Sequence, residues 1–145
     1  VGSPINNYRA IETYIGTVDA SGTPLYFLRV PEDCVLIDCG WITSNAIAAH
    51  AANIHTTTVT NRGQAAAGTT VVATKTTDSG VTGYEAITAK QAWVMTPASA
   101  AVAELSGDDV LEIAPTEGGA ATSGDLADAT FFLVYRPGHG VGYDV

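Results

Sequence analysis

Turn-forming clusters cut this chain into pieces too short for ordinary helices. Asp19-Ala-Ser-Gly-Thr-Pro24, Pro31-Glu-Asp33, Arg62–Gly68, Thr76–Gly83, Ser106-Gly107-Asp108 and Pro115–Asp125 punctuate it at intervals of about 8–12 residues. Between them lie segments rich in β-branched and aromatic residues: Arg9–Val18, Leu25–Val30, Cys34–Thr43, Ile54–Asn61, Thr69–Thr74, Tyr84–Ala89, Ala92–Met95, Val110–Ile113 and Thr130–Arg136. No long stripe of helical period runs through any of them. Eight or so short strands in one chain predict an all-β sandwich or barrel.

The strands differ in how they alternate. In Cys34–Thr43, strict alternation puts Val35, Ile37, Cys39 and Trp41 on one face, with Leu36, Asp38 and Ile42 on the other. Thr130–Arg136 is apolar on both faces, Phe131, Leu133 and Tyr135 against Phe132 and Val134, so it is expected to be covered on both sides. Ile54–Asn61 and Thr69–Thr74 form a hairpin across Arg62–Gly68. Ser44–Asn53 reads as a loop, Pro97–Ala103 as a linker and Pro115–Asp125 as an exposed loop. Within Ala103–Ala114, the turn is expected to use left-handed backbone at Gly107, so that Gly107→Val destabilises the fold. Immunoglobulin-type spacing is excluded because Cys34 and Cys39 are too close together. The expected architecture is a single-domain, jelly-roll-like β-sandwich over residues 9–136, with an N-terminal arm, 1–8, and a C-terminal tail, 137–145. At 145 residues such a chain buries roughly 70% of its unfolded surface and forms a core without staples.

Composition narrows the partners. Charged residues make up only 14% of the chain and hydrophobic ones 46%, which excludes disorder and fits a surface partly covered by other chains. The net charge is −9, and Arg9, Arg29, Arg62, Lys75, Lys90 and Arg136 are scattered singly. Nucleic acid and anionic membrane both require clustered cations, so neither is an expected partner. No stretch reaches the roughly 20 apolar residues of a membrane helix, and no leader pattern opens the chain.

The chemistry-bearing residues form no recognisable set. Cys34 and Cys39, on opposite faces of a regular strand and about 16 Å apart, are too distant for a disulfide, which needs about 7 Å; they read as buried thiols. His50, His55 and His139 lack metal-ligand spacing, and His55 reads as a solvated or interface residue. Ser79-Gly80 and Ser106-Gly107 read as turns, with no nucleophile elbow. Asp108 and Asp109, adjacent on a strand, face opposite ways. An incidental calcium site is conceivable at Asp108, Asp109 and Glu112 or at Asp125 and Asp128. Gly118-Gly119 lacks the lysine of a phosphate loop. Trp41, Trp93, Tyr8, Tyr14, Tyr26 and Tyr84 are weighed as a sugar platform, core residues being the plainer reading. No catalytic, cofactor-binding or metal residue is assigned, and no cofactor is expected.

The order of segments resembles a family of small virion proteins of tailed phages. The succession runs from Leu25-Tyr-Phe-Leu-Arg-Val-Pro-Glu-Asp-Cys-Val-Leu-Ile-Asp-Cys39 to Thr-rich Ile54–Asn61 with Arg62-Gly63. It continues with Ala66–Ala73, Leu105-Ser-Gly-Asp-Asp-Val-Leu111 and a last apolar strand. The resemblance covers roughly Leu25 to Arg136. It implies a capsid decoration, or cement, protein with a jelly-roll fold and no enzymatic activity. It also implies a homotrimer on the outer capsid surface, bound to the major capsid protein, bridging capsomers and made in the host cytoplasm. Two other readings remain from the residues: a host-glycan-binding or tail and fibre accessory jelly roll, with an exposed Trp or Tyr such as Trp93, and a cupin- or glycosidase-type enzyme, which the absence of a His-x-His pair disfavours.

Overall fold

A computed structural model describes residues 7–118 and 124–138. Among the described residues, nine strands form where the sequence sets branched and aromatic residues between turns. They are β1 (Arg9–Val18), β2 (Tyr26–Arg29), β3 (Cys34–Ile42), β4 (Ile54–Asn61), β5 (Thr70–Thr76), β6 (Ala92–Met95), β7 (Glu104–Leu105), β8 (Val110–Gly118) and β9 (Leu126–Pro137). One sheet has the order β1-β9-β3-β6, with short β7 also paired to β3, and the other has the order β2-β8-β4-β5. Every pairing between strands is antiparallel. The chain crosses repeatedly between a five-stranded and a four-stranded antiparallel sheet, and the fold is an all-β, jelly-roll-like sandwich.

The two sheets close on an aromatic core. Trp41 on β3 meets Phe131 on β9 edge to face at 4.9 Å, and Tyr26 on β2 meets Trp41 at 6.4 Å. Val59, Leu111 and Ile113 enter from the facing sheet, and all three are fully buried. Burial of a side chain of this size contributes about 1.5–3 kcal/mol. β9 lies between β1 and β3 as a central strand of its sheet. Phe131, Leu133 and Tyr135 join the core, while Phe132, on the outer face and 7% exposed, covers Gly40. At Gly40 a Cβ would lie 1.9 Å from the Trp93 carbonyl oxygen, so only glycine permits the β3–β6 approach.

Strict alternation fails in β3. The β3–β9 register steps from Leu36↔Tyr135 to Asp38↔Val134, leaving Ile37 as a bulge. One extra residue reverses the faces beyond it. Cys34 and Leu36 before the bulge, and Cys39 and Trp41 after it, all turn into the core. The two cysteines thus share a face, contrary to the alternation argument, and both are free, buried thiols as expected.

Three other segments differ from expectation. Tyr84–Ala89 is a loop with a single bridge between Ile87 and Ile47, and Lys90 at φ 63° turns the chain out of it. Pro97–Ala103 contains a one-turn helix, α1 (Ala100–Ala103), whose N-cap Ser99 accepts from the Val102 N–H. Pro115–Gly118 extends β8 rather than opening a loop, because Ile54–Thr57 offers it a partner. Pro115 lies past the end of the β2–β8 pairing, where β8 keeps a partner on one side only, a setting that tolerates proline. Residues 1–6 of the expected arm, residues 119–123 and residues 139–145 of the tail lie outside the described residues, as does His139.

The turn within Ala103–Ala114 is built differently from the sequence reading. Gly107 does not use left-handed backbone; Asp108 does, at φ 71°. Asp109, not Asp108, closes the turn: its Oδ2 accepts from the Ser106 N–H at 2.9 Å and from Asn61 Nδ2 at 3.0 Å. Asp33 Oδ1 receives the Gly107 N–H at 2.8 Å, anchoring the turn to the β2–β3 connection.

Candidate functional site

The histidines are held apart by separate structural tasks. His50, exposed in the β3–β4 loop, uses Nδ1 to accept the N–H groups of Ala52 and Asn53 at 2.9 and 3.0 Å. His55 opens β4 and is fully buried, which corrects the expectation of a solvated residue. Its Nε2 lies 2.8 Å from Thr57 Oγ1, and Trp41 Nε1 donates to the same hydroxyl at 3.0 Å from the other sheet. Burial pushes the His55 imidazole down to about 4, so it is neutral at ordinary pH.

The acids weighed for calcium are also spoken for singly. Asp108 pairs with Arg29, Glu112 with Arg62, and Asp109 holds the turn. Asp128 accepts from Ser44 Oγ at 2.7 Å and Tyr14 OH at 3.2 Å. The fold instead brings Asp19, Glu117 and Asp125 together, with carboxylate oxygens within 4.8 Å of one another. Only Asp125 of these three was singled out by the sequence. The hydroxyl of Ser21 on Asp19 Oδ1 holds that carboxylate below its ordinary range.

Both thiols are chemically quiet. Burial, reinforced by the charges of Glu32, Asp33 and Asp109, pushes Cys34 up to about 11, and burial with the Asp38 charge pushes Cys39 up to about 12.

The aromatic residues weighed as a sugar platform divide between core and surface. Trp41 and Trp93 are buried core residues, and Trp93 Nε1 donates to the Glu85 carbonyl at 2.9 Å. Tyr26 is half-buried against the core. Tyr8, Tyr14 and Tyr84 are exposed, as is Phe27, which was not singled out. Phe27 points outward because Tyr26 and Leu28, its neighbours on β2, point inward.

Phe27 borders a depression of about 360 Å³ on the outer face of the β2-β8-β4-β5 sheet, lined also by Arg62, Gln64, Ala66, Val110 and Glu112. The register sets Phe27 beside Glu112 and Arg29 beside Val110. Arg62 grips the Glu112 carboxylate with two parallel bonds, Nε at 3.0 Å and Nη2 at 2.8 Å. That carboxylate raises the Arg62 pKa further. The 62–68 loop is tied down by Gly68 N to Arg62 O at 2.9 Å, Arg62 Nη1 to Gly68 O at 3.1 Å and Gln64 Nε2 to Gly107 O at 2.8 Å. A second, smaller cleft of about 110 Å³ opens at the β1–β2 margin, lined by Thr13, Ile15, Tyr26, Phe27, Leu28, Ile113 and Phe131.

Basic side chains are committed to acids: Arg9 to Glu32, Arg29 to Asp108, Arg62 to Glu112 and Lys75 to Glu85. Among the described residues no helix is long and apolar enough to cross a membrane.

No family model matches the chain, and no curated protein does. A solved structure of infectious bursal disease virus, Gx strain, is similar with a TM-score of 0.38 and 14% identity, over 96% of this chain and 34% of that one. The chain thus spans about a third of that chain's length. A likeness of this size fixes neither fold nor function.

Proposed function

We propose that this protein is a structural component of a virion, a decoration protein that sits on the outer capsid surface as a trimer and ties neighbouring capsomers together. The observation that carries the reading is the margin formed by β1 and β2. Tyr8, Tyr14 and Leu25 are 53%, 67% and 50% exposed, and all three lie on or beside these two edge strands. Large apolar side chains gathered along one margin mark a surface that a partner covers. Among the described residues β1 is also a ten-residue edge strand, and its first six residues pair with β9 without a bulge, so its outer side is a template for another chain. The resemblance of the segment order to phage decoration proteins supports the capsid over other partners. Many copies, each with a modest interface, then add up to a strengthened shell.

Two measurements test this. Sedimentation of the purified chain should give a trimer, and Tyr14→Asp with Leu25→Asp should shift it toward monomer. Particles lacking the chain should rupture at lower temperature than complete ones. Equal rupture temperatures would overturn the cement role.

A further inference from the structure

We propose that the depression beside Phe27 is a binding site for a neutral pyranose sugar, a role that goes beyond the capsid reading and does not depend on it. The Phe27 ring is 59% exposed at the rim of the depression. A flat apolar face of this kind matches the C–H face of a pyranose ring. Beside it, the Arg62–Glu112 pair supplies the polar half of the contact. The pair's side chains are 32% and 12% exposed, and its two parallel bonds fix both groups in place. A guanidinium has five N–H donors. Arg62 commits three of them, two to Glu112 and one to Gly68, so two remain, and each carboxylate oxygen keeps accepting capacity. Sugar hydroxyls donate and accept at once, which suits a site offering both.

The charge balance selects against other ligands. Glu112 cancels Arg62, and the whole chain carries −9, so phosphate, nucleotides and acidic sugars are repelled. An amine would meet the guanidinium. A neutral, hydroxyl-rich ring satisfies both constraints. The wall is preformed: Gly63 N bonds Asn61 Oδ1 at 2.8 Å, Gln64 reaches across to Gly107, and Ala66 is held in left-handed backbone at φ 61°. A preformed wall avoids the ordering cost of a mobile loop. The volume of about 360 Å³ lies in the small-molecule range of about 300–1,000 Å³.

The test is an amide-resolved NMR titration of the intact chain with glucose, galactose, mannose and N-acetylglucosamine, with N-acetylneuraminic acid and inorganic phosphate as anionic arms. At ~10 mM, enough to fill most of a site with a Kd near ~1 mM, at least one neutral sugar should shift the amides of Phe27, Gln64, Ala66, Val110 and Glu112. Phe27→Ala should weaken that binding at least ~10-fold while leaving the melting temperature unchanged, and Phe27→Trp should retain it. The proposal is overturned if no neutral sugar shifts these amides, if only the anionic probes do, or if Phe27→Ala binds as well as the parent. Shifts at the same amides on raising protein concentration alone, without sugar, would assign the face to self-association and overturn it too.

Discussion

His55 should make this fold sensitive to acid, and the size of the effect follows from its setting. The imidazole is fully buried between the sheets, with Trp93 edge to face at 5.7 Å and Thr57 on Nε2. Its Nδ1 has no hydrogen-bond partner among the described residues. A second proton on the ring would therefore be a buried charge without an acceptor, and burial lowers the pKa from 6.5 to about 4. Above pH 6.5 the imidazole is neutral in folded and unfolded chains alike, and the stability is complete. Between pH 6.5 and about 4 the unfolded chain takes up a proton that the folded chain refuses, so stability falls as pH falls. Below about 4 both states are protonated and the loss stops growing. Each pH unit between the two values corresponds to about 1.4 kcal/mol, which gives a total near 3 kcal/mol. Against a domain stability of about 5–15 kcal/mol, that is a substantial fraction.

Urea denaturation measured from pH 7.5 to 3.5, on the parent and on His55→Gln, checks this. Glutamine keeps a neutral polar group near Thr57 but does not titrate. The carboxylates titrate in both proteins, so the difference between the two curves isolates His55. The parent should lose about 3 kcal/mol more than the variant across the window. Parallel curves, or a ring-proton NMR titration of His55 with its midpoint at pH 6 or above, would refute the reasoning.

Three further substitutions probe the frame. Gly40→Ala should cost ~3 kcal/mol or more by chemical denaturation, since its Cβ would lie 1.9 Å from the Trp93 carbonyl oxygen; a parent-like transition would contradict the Gly40↔Val94 register. Asp109→Ala should cost about 1–3 kcal/mol by leaving the Ser106 N–H and Asn61 amide without their acceptor, whereas Gly107→Ala should cost less than about 1 kcal/mol because its new Cβ lies 3.3 Å from the nearest atom, Glu32 Cα, on backbone that is not left-handed. On the alkaline side, the folded thiols near 11 and 12 keep their protons above pH 9, where the unfolded chain loses them. Stability should be complete below pH 9 and fall as pH rises through 11, and a Cys34→Ala, Cys39→Ala variant should lack that part of the slope. Rapid labelling of both thiols in the folded protein at pH 8 would contradict their burial.

The fold was legible where turn chemistry and period-two alternation agree. Arg9–Val18 and Ile54–Asn61 are strands with the predicted bounds, and the Arg62–Gly68 connection makes the predicted hairpin. Alternation misled where one residue was inserted. Ile37 looks like any core isoleucine in sequence, but the β9 register passes over it, and that slip reverses Cys39 and Trp41. Long-range pairing decided other segments. Pro115–Gly118 has the composition of a loop, yet β4 recruits it as strand, while Tyr84–Ala89 has the composition of a strand and finds only the Ile47 bridge. In the Ser106–Asp108 turn, glycine was the natural candidate for left-handed backbone. The chain places Asp108 there instead, an acid that tolerates the conformation, and seats Gly107 against Glu32, where a side chain would be crowded.

The candidate site was far less legible, because no local spacing encodes it. Phe27, Arg62, Gln64 and Glu112 come from β2, the β4–β5 connection and β8, separated by up to 85 positions (112 − 27). What joins them is the antiparallel register, which sets Phe27 opposite Glu112 and Glu112 opposite Thr60, two residues before Arg62. The sequence directed attention to tryptophan and tyrosine as a platform, but residue type does not decide exposure. Trp41 and Trp93 fall on inward positions with partners for their indole N–H groups, Thr57 and the Glu85 carbonyl, so the interior can take them. Phe27 has no polar atom to satisfy and would suit the core better by chemistry alone. Its outward position follows from the parity of β2: with Tyr26 and Leu28 packed inward, the residue between them must face solvent. Moving it inward would cost both neighbours their contacts, so the fold keeps an apolar ring on its surface, beside an ion pair already fixed in place.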